Sequence, residues 1–515
     1  MRILGGGTLR YRWNLHRPSP RFALATAFVV AATSCSIFGA TPTTASLSIK
    51  NRQIDVPIVQ QLVLGFGSAV DTKAVLAHLQ ITPATEGQLT QASADGRNFT
   101  YDPARPWSED TTYRVEITAF HDRKGNSVSS HAWTFTTTLL PRVTTYIDDQ
   151  GNDLVPGASV EQGHEVNLVF NTWMLTDQTA VTANGQAAKV IWSHDVRQAI
   201  VSTAGMSVGP LVLSLTSGRD RRNHFATPGD LIALDLAYRV HIATTHLAFP
   251  ALVQIPNDGY GARPQVGIQA AALVFEYQTE GSIQRTTALY TDVPAVIGPT
   301  RSGRRISFRI VRHYHGNLFL SGLSADARNV LYSDPVPAWF DNPPGFFRDN
   351  SRSAPDNLML RGDEVVSKES QSGPPAFEPI RHGPVVVGAG TPVTSFGVSE
   401  HRSTYSYDAV TGTYGKVEDG ETMMDASLGK PDQMFMVLVV HAREFLVPDI
   451  ESGCCTHGRD FDLDSGGALD IYYRGQQVTG SWSAADRASP LVFRNAAGLE
   501  LHLPEGLVWV DVVGN

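Results

Sequence analysis

The sequence predicts a mainly β protein with an α+β part: N-terminal β-sandwich modules, then an α+β domain, then a mostly antiparallel β domain. Three observations carry that expectation. From about residue 47 onward, short runs of alternating apolar and polar residues recur, separated by turn residues. Charged residues make up 18% of the chain, a low share that suits extracellular β structure. Near residue 241 the rhythm changes, and stretches with few helix breakers enter between the strands. A chain of 515 residues is too long for one core, so several domains are expected.

Residues 1–35 read as an export signal. Arginines stand at 2, 10, 12, 17 and 21 with no acid before Cys35, and an apolar stretch runs from Phe22 to Ala32. A basic segment followed by a short apolar one is the layout of a secretion signal and is too short to span a bilayer stably. Cys35 follows the small residues Ala32, Thr33 and Ser34, which predicts lipidation of Cys35 and an extracytoplasmic chain held on the membrane by its acyl chains, at roughly 0.8 kcal/mol per buried CH₂. Plain secretion with cleavage near Ala40 and an uncleaved anchor are the alternatives. Residues 36–46, rich in Thr, Ser and Ala, read as the tether. Removing residues 1–35 takes away five arginines and no acid, so the net charge of −9 becomes −14. That balance argues against nucleic acid as a partner and against a polybasic membrane role, so any binding of an anionic polymer would have to come from a local arginine cluster against an unfavourable overall field. Beyond Cys35 only the adjacent pair Cys454 and Cys455 remains, and neighbouring cysteines rarely close a good disulfide. The fold must rest on its cores.

Residues 47–138 read as one β-sandwich. In TYRVEITAF, Tyr113, Val115, Ile117 and Ala119 alternate with Arg114, Glu116 and Thr118, placing the two sets on opposite faces of a strand. The stretches ITPATEG at 81–87, FTYDPARPW at 99–107 and WTFTT at 133–137 resemble bacterial Ig-like domains. Residues 139–240 repeat the rhythm in HEVNLVFN, AAKVIWSH, AIVSTAG and LVLSLTS and read as a second sandwich. Both modules are expected to serve as spacers. In residues 241–385, the α+β domain, a helix over 263–275 leading into the strand VFEYQ and a second helix around 301–312 are expected. Residues 386–515 read as the antiparallel β domain, with Gly475 turning a hairpin within YYRGQQVTGSW.

Four blocks carry the chemistry: ARPQVG at 262–267, VFEYQTEGSIQR at 274–285, IGPTRSGR at 297–304 and FFRDNSRSAPDNL at 346–358. Arginine presents a planar fork of donors, so such clusters hold either an internal ion-pair lattice or an anionic ligand. Together with VTGSW at 478–482 and GLELHLPEGLVWVDVV at 498–513, these blocks resemble the YerB-like lipoprotein family, which is defined by a domain of unknown function. The resemblance covers about 245–513 and supplies no activity. It places Arg263, Glu276, Glu280, Arg285, Arg301, Arg304, Arg348, Asp349, Arg352, Ala354, Pro355 and Asn357 on motif positions. Asp356 stands where the family usually has histidine, which removes the block's one group suited to proton transfer near neutral pH. Among arginines an aspartate is expected to have a depressed pKa and to be a poor base.

The candidate ligand-binding set is therefore Arg263, Glu276, Glu280, Arg285, Arg301, Arg304, Arg348, Asp349, Arg352 and Asn357, expected to line an arginine-rich cleft. The expected partner is a cell-wall polymer or an envelope protein, with the membrane reached through the lipid anchor and no nucleic acid involved. No cofactor and no metal is expected, and no catalytic residue is assigned. Two alternatives stand beside this. One is a cell-wall-modifying hydrolase or transpeptidase using the acids at 276–280 and 349–356 or the cysteine pair; the other is a purely architectural protein with every arginine in an internal salt bridge.

Weaker patterns fall away on spacing. Ser452, Gly453, Cys454 and His457 loosely resemble the Ser-x-Gly-Cys element of L,D-transpeptidases, but the serine lies one position too near. Asp460, Asp462 and Asp464 alternate like calcium ligands, yet Ser465 and Ile471 stand where a glycine and a bidentate acid are needed. Gly205–Gly209 has the form of a hydrolase elbow without the following helix, and Ser427 with Lys430 lies in a turn. His313 and His315, two apart, would point oppositely from a strand.

Overall fold

Alternating side chains between Ala45 and Thr137 close two four-stranded sheets over one another. One is ordered Ala45–Leu47, Leu62–Phe66, Asn98–Pro103, Gly87–Gln91, and the other Gln53–Val56, His131–Thr137, Thr112–Ile117, Leu79–Thr82. Tyr113, Val115 and Ile117 point into the core with Phe99, Trp107 and Phe135, while Arg114 and Glu116 pair outside at 2.9 Å. The alternation ends at Ile117, and Phe120 rather than Ala119 enters the core. This computed structural model describes residues 42–259, 261–340, 344–369, 380–451 and 455–515. Cys35, with the predicted signal and residues 36–41 of the predicted tether, and Cys454 lie outside them.

The chain divides into two compact units, 1–139 and 140–515. The second begins with another sandwich: a four-stranded sheet ordered Val143–Asp148, Glu165–Phe170, Gln198–Ser202, Val190–Trp192 faces a five-stranded one built on Gly209–Ser217 and Gly229–Ala237. Its turns repeat the chemistry of the first sandwich. Ser93 and Ser193 each donate to an aspartate two residues on, Asp95 and Asp195, which accepts the N–H of Arg97 or Arg197 at 3.1 and 3.2 Å. Asp122 accepts the N–H groups of Lys124 and Asn126, and Asp220 those of Arg222 and His224, all within 2.9 Å. Side chains that bond the backbone two and four residues on fix such turns locally, so the two sandwiches are built alike.

Beyond residue 243 an eleven-stranded sheet dominates, and it crosses the expected boundary at 385/386. Leu273–Gln278 pairs in parallel with Val508–Gly514, which pairs in parallel with Met436–Ala442. These three central strands are buried on both faces, which explains their near-continuous apolar runs. Phe275, Tyr277, Leu438 and Val510 face a core closed by helix Arg305–Tyr314 and helix Ala325–Ser333. Val274, Val437 and Trp509 face a second core, closed by the small sheet of Ser395–Val398, Ser403–Asp408, Thr413–Glu418 and Glu421–Thr422 and by helix Gly362–Glu369. The protein is mainly β, as expected.

Two local expectations need correction. The helix predicted over 263–275 is a single 3-10 turn, Ile268–Ala270. Gly267 has φ 74°, and its N–H and that of Gln269 are captured by Asp425 at 3.1 and 2.9 Å, so these donors are used across the fold and not along a helix. His313 and His315 are not on a strand. They close the helix Arg305–Tyr314, where His313 Nδ1 meets Ser489 O and His315 Nε2 meets Ala488 O, each at 2.7 Å.

Candidate functional site

The predicted arginines are mostly used up by the protein itself. Arg304 is buried and holds Glu280 by a two-point contact whose Nε arm is 2.9 Å. Burial pushes Glu280 up, but Arg304 and Arg285 outweigh it and leave the carboxyl at about 2. Arg285, also buried, lies 3.2 Å from Asp258. Arg263 reaches across to Glu418 O at 2.7 Å and Asp419 at 2.9 Å. Arg301 pairs with Asp356 at 3.0 Å. The expectation of a depressed Asp356 is overturned: burial outweighs Arg301, and the pKa is raised. Arg352 donates to the carbonyls of Ala262 and Pro264, Arg348 donates to Asn357 at 2.6 Å, and Asp349 accepts from Ser351 in a surface turn. Glu276 and Asp349 are thus not neighbours in one acid pair, and the ten residues do not converge on a common cavity among the described residues.

The acids of the 460–464 run serve the fold too. Asp460 and Asp464 hold Arg309 at 2.9 and 2.5 Å, and Asp464 lies 3.2 Å from His313, which pins the helix to the sheet end.

The densest chemistry surrounds Glu276, a predicted residue whose partners Lys416, His401, Asp511 and Glu418 the sequence reading did not single out. Glu276 and Asp511 are partners across adjacent central strands, facing the same core. Like charges so placed repel unless something intervenes. Here Lys416 and His401 intervene, and all four side chains are fully buried. Lys416 contacts Glu276 and lies 2.6 Å from Glu418, with its ammonium 4.5 Å from the Trp509 ring centre. Burial would lower the Lys416 pKa, yet Glu276 and Glu418 raise it. His401 Nδ1 meets Asp511 at 2.7 Å while Nε2 meets Val512 O at 3.2 Å; with an acceptor at each nitrogen the ring holds both protons. Burial works against that charge, but Glu276 and Asp511 raise the pKa. Tyr405 donates to Asp511 at 2.8 Å and Asn257 bridges Glu276 and Glu418 at 2.7 and 2.9 Å. Burial and the neighbouring Glu276 push Glu418 up to about 8, so at neutral pH it keeps its proton and the two cations balance the remaining carboxylates. Glu276, His401 and Asp511 offer ligand atoms within 4.8 Å of one another, a spacing that suits a metal, but the Lys416 ammonium already serves as the cation there. The cluster is sealed, so it braces the fold and offers no group to a substrate.

Asp432 is a further buried acid. Neither of its oxygens has a hydrogen-bond partner, and burial with the nearby Asp425 pushes it up to about 8.

Open concave surface lies elsewhere. A cleft of about 390 Å³ sits where the second sandwich meets the large sheet, and it adjoins one of about 730 Å³ through Val240, Ile242 and Gly506. The junction is pinned by Gln162 donating to Val410 O at 2.8 Å and Tyr238 donating to Gln433 at 2.8 Å. Tyr238, Phe435 and Tyr473 bring aromatic rings to the cleft, and Arg474 and Glu505 bring charge. A separate polar cleft of about 400 Å³ is lined by Asp258, Asp419, Glu421 and Arg402; none of the ten predicted residues lines it, but Arg263 and Arg285 hold its acids Asp419 and Asp258 from behind.

Comparison with known proteins fits this architecture. The domain described as "Protein of unknown function (DUF3048) N-terminal domain" matches residues 242–374, its C-terminal counterpart matches 393–510, and a "Bacterial Ig-like domain" matches 39–137. A curated relative, "Putative lipoprotein YerB" of Bacillus subtilis (strain 168), is 26% identical over 278 residues, which is 50% of this chain and 80% of the relative. The crystal structure of YerB protein from Bacillus subtilis is 21% identical, covers 54% of this chain and 94% of its own, and gives a TM-score of 0.44. An L,D-transpeptidase from Mycobacterium tuberculosis H37Rv gives a TM-score of 0.14 at 13% identity, covering 35% of this chain and 77% of its own.

Proposed function

We propose, for a chain that belongs to the YerB-like family and carries a bacterial Ig-like domain ahead of its two DUF3048 domains, an extracytoplasmic lipoprotein whose head binds a saccharide-bearing cell-wall component. The anchor rests on the small residues before Cys35 and on the relative's name. Cys35→Ala should release the chain from the membrane fraction, and retention there would contradict the anchor.

The observation that carries binding is the junction cleft. Aromatic rings beside Arg474 and the Arg239–Glu505 pair suit sugars, whose C–H faces pack on aromatics while hydroxyl and acidic groups find donors and acceptors. Its volume suits a polymer segment better than the broad flat face a protein partner requires. Catalysis is disfavoured because Glu276, Glu280 and His401 are sealed and paired. The surface-reaching arginines Arg301, Arg348 and Arg352 are braces tied to neighbouring loops.

The test incubates the chain from residue 36 with purified cell-wall sacculi and measures both capture and release of soluble fragments. Capture without release, lost in Tyr473→Ala/Arg474→Gln and kept in Arg301→Lys/Arg352→Lys, is expected. Fragment release would favour the enzymatic alternative, and loss only in the arginine-to-lysine pair would return the site to the predicted set.

A further inference from the structure

We propose that the loop end of the second sandwich is a docking surface for an anionic lipid bilayer, independent of any acyl anchor. The two sandwiches can be matched residue by residue at this end through their backbone bonds. Phe66 N–H donates to Arg97 O as Phe170 N–H does to Arg197 O, both at 2.8 Å, and Arg123 N–H donates to Ala69 O as Arg221 N–H does to Trp173 O, both at 3.0 Å. Ser127 pairs with His121 where Phe225 pairs with Arg219. The scaffold is therefore the same, and what differs is the side chains it presents.

Three exchanges all run one way. Trp173 stands where the first sandwich has Ala69, Phe225 where it has Ser127, and Leu175 where it has Asp71. The first two put large rings in solvent, Trp173 at 50% and Phe225 at 66% exposure. The third removes a counter-ion: Asp71 holds Arg123 at 2.9 Å, whereas Leu175 offers Arg221 nothing. Basic residues persist at the matched positions, Arg221 and Arg222 for Arg123 and Lys124, and the Arg219 guanidinium lies 4.0 Å from the Phe225 ring centre. The acid inside the loop, Asp220, is buried and spends its oxygens on the loop's own N–H groups and on His224.

Exposed rings flanked by arginines match the chemistry of a membrane interface, where tryptophan settles at the headgroup level and arginines meet anionic lipid. The surrounding chain favours this occupant and fixes its orientation. With a net charge of −9 overall, the rest of the molecule is repelled by an anionic bilayer, so contact is steered to this end. A glycan would call for acceptors to meet its hydroxyls, and the exchanges add none.

The test sediments the non-acylated chain from residue 36 with vesicles of phosphatidylglycerol and phosphatidylcholine, and with vesicles of phosphatidylcholine alone. Partition onto the anionic vesicles is expected, weakening as salt is raised. It should fall about tenfold or more in Arg221→Gln/Arg222→Gln and also in Trp173→Ala/Phe225→Ala. The thermal transition should be unchanged, since these side chains sit outside the core. Transplanting the exchanges as Ala69→Trp/Asp71→Leu/Ser127→Phe should strengthen partition. No partition by the unsubstituted chain, equal partition onto neutral vesicles, or partition unaffected by the loop variants would overturn the proposal; in the first case an acidic protein would be the occupant to seek. Wall capture through the junction cleft should be untouched by these substitutions, so the two readings fail separately.

Discussion

Lys416 is the residue on which the head's interior depends. Its ammonium separates Glu276 from Glu418 in a region with no water access, so removing it takes away the cation in direct contact with Glu276 and leaves that buried carboxylate on the neutral donors Asn257 and Trp509, with His401 3.7 Å away. Lys416→Met should cost about 3–5 kcal/mol in denaturant unfolding, the range for breaking a buried ion pair from one side; a loss below about 1 kcal/mol would contradict this role. The sequence hid this residue because the strand inverts the usual pattern. Along Thr413–Glu418, Lys416 and Glu418 face inward while Val417 is exposed, so a reading by polarity turns the strand the wrong way round. The arginines were legible as a group because their blocks stood out, but burial decides whether an arginine binds or braces, and that depends on distant partners such as Asp419 and Glu418. Titration adds a prediction. Glu418 and Asp432 keep their protons up to about 8, against ordinary values of 4.5 and 3.8. Between those limits the unfolded chain releases protons that the folded chain retains, so stability falls as pH rises from about 4 to about 8. Glu280 acts oppositely, its stabilisation being lost as pH falls below 4.5 toward about 2. Thermal unfolding should thus peak near pH 4, and Asp432→Asn should flatten the decline toward pH 8. An unchanged slope would contradict the assignment.

At the scale of elements, the strands were legible and the long-range pairings were not. VFEYQ and the run ending in VWVDVV read as strands from their apolar content, but only the folded chain shows that they are parallel neighbours 235 residues apart in register, Glu276 beside Asp511. The missed helix at 263–275 has a comparable cause. Its residues carry adequate helix propensity, yet Asp425 takes two of the N–H donors, so tertiary bonding overrides local preference. A consequence follows for dissection. Because Leu273–Gln278 relies on Val508–Gly514 for one of its edges, residues 241–385 alone would expose a central strand and half of each core. That fragment should be unfolded or aggregated by amide-proton NMR dispersion, whereas co-expression with 386–515 should restore it. A well-dispersed spectrum from the isolated fragment would contradict the single-sheet architecture.

For the whole molecule, two sandwiches built on one turn scheme lead into a head whose charged groups look inward and whose open surface lies at its junction with the second sandwich. The family was readable from its sequence blocks, and the Ig-like module from its strand rhythm. The location of the cleft was not, because Tyr238, Phe435, Tyr473 and Glu505 come from four separate stretches, each unremarkable by itself. The most direct measurement is hydrogen exchange on the chain from residue 36 with and without soluble cell-wall fragments. Binding at the junction cleft predicts slowed exchange at 238–242, 433–435, 472–475 and 504–507 with little change at 346–358. Protection confined to 346–358 and 299–304, with none at the junction, would contradict it and restore the arginine blocks as the binding surface.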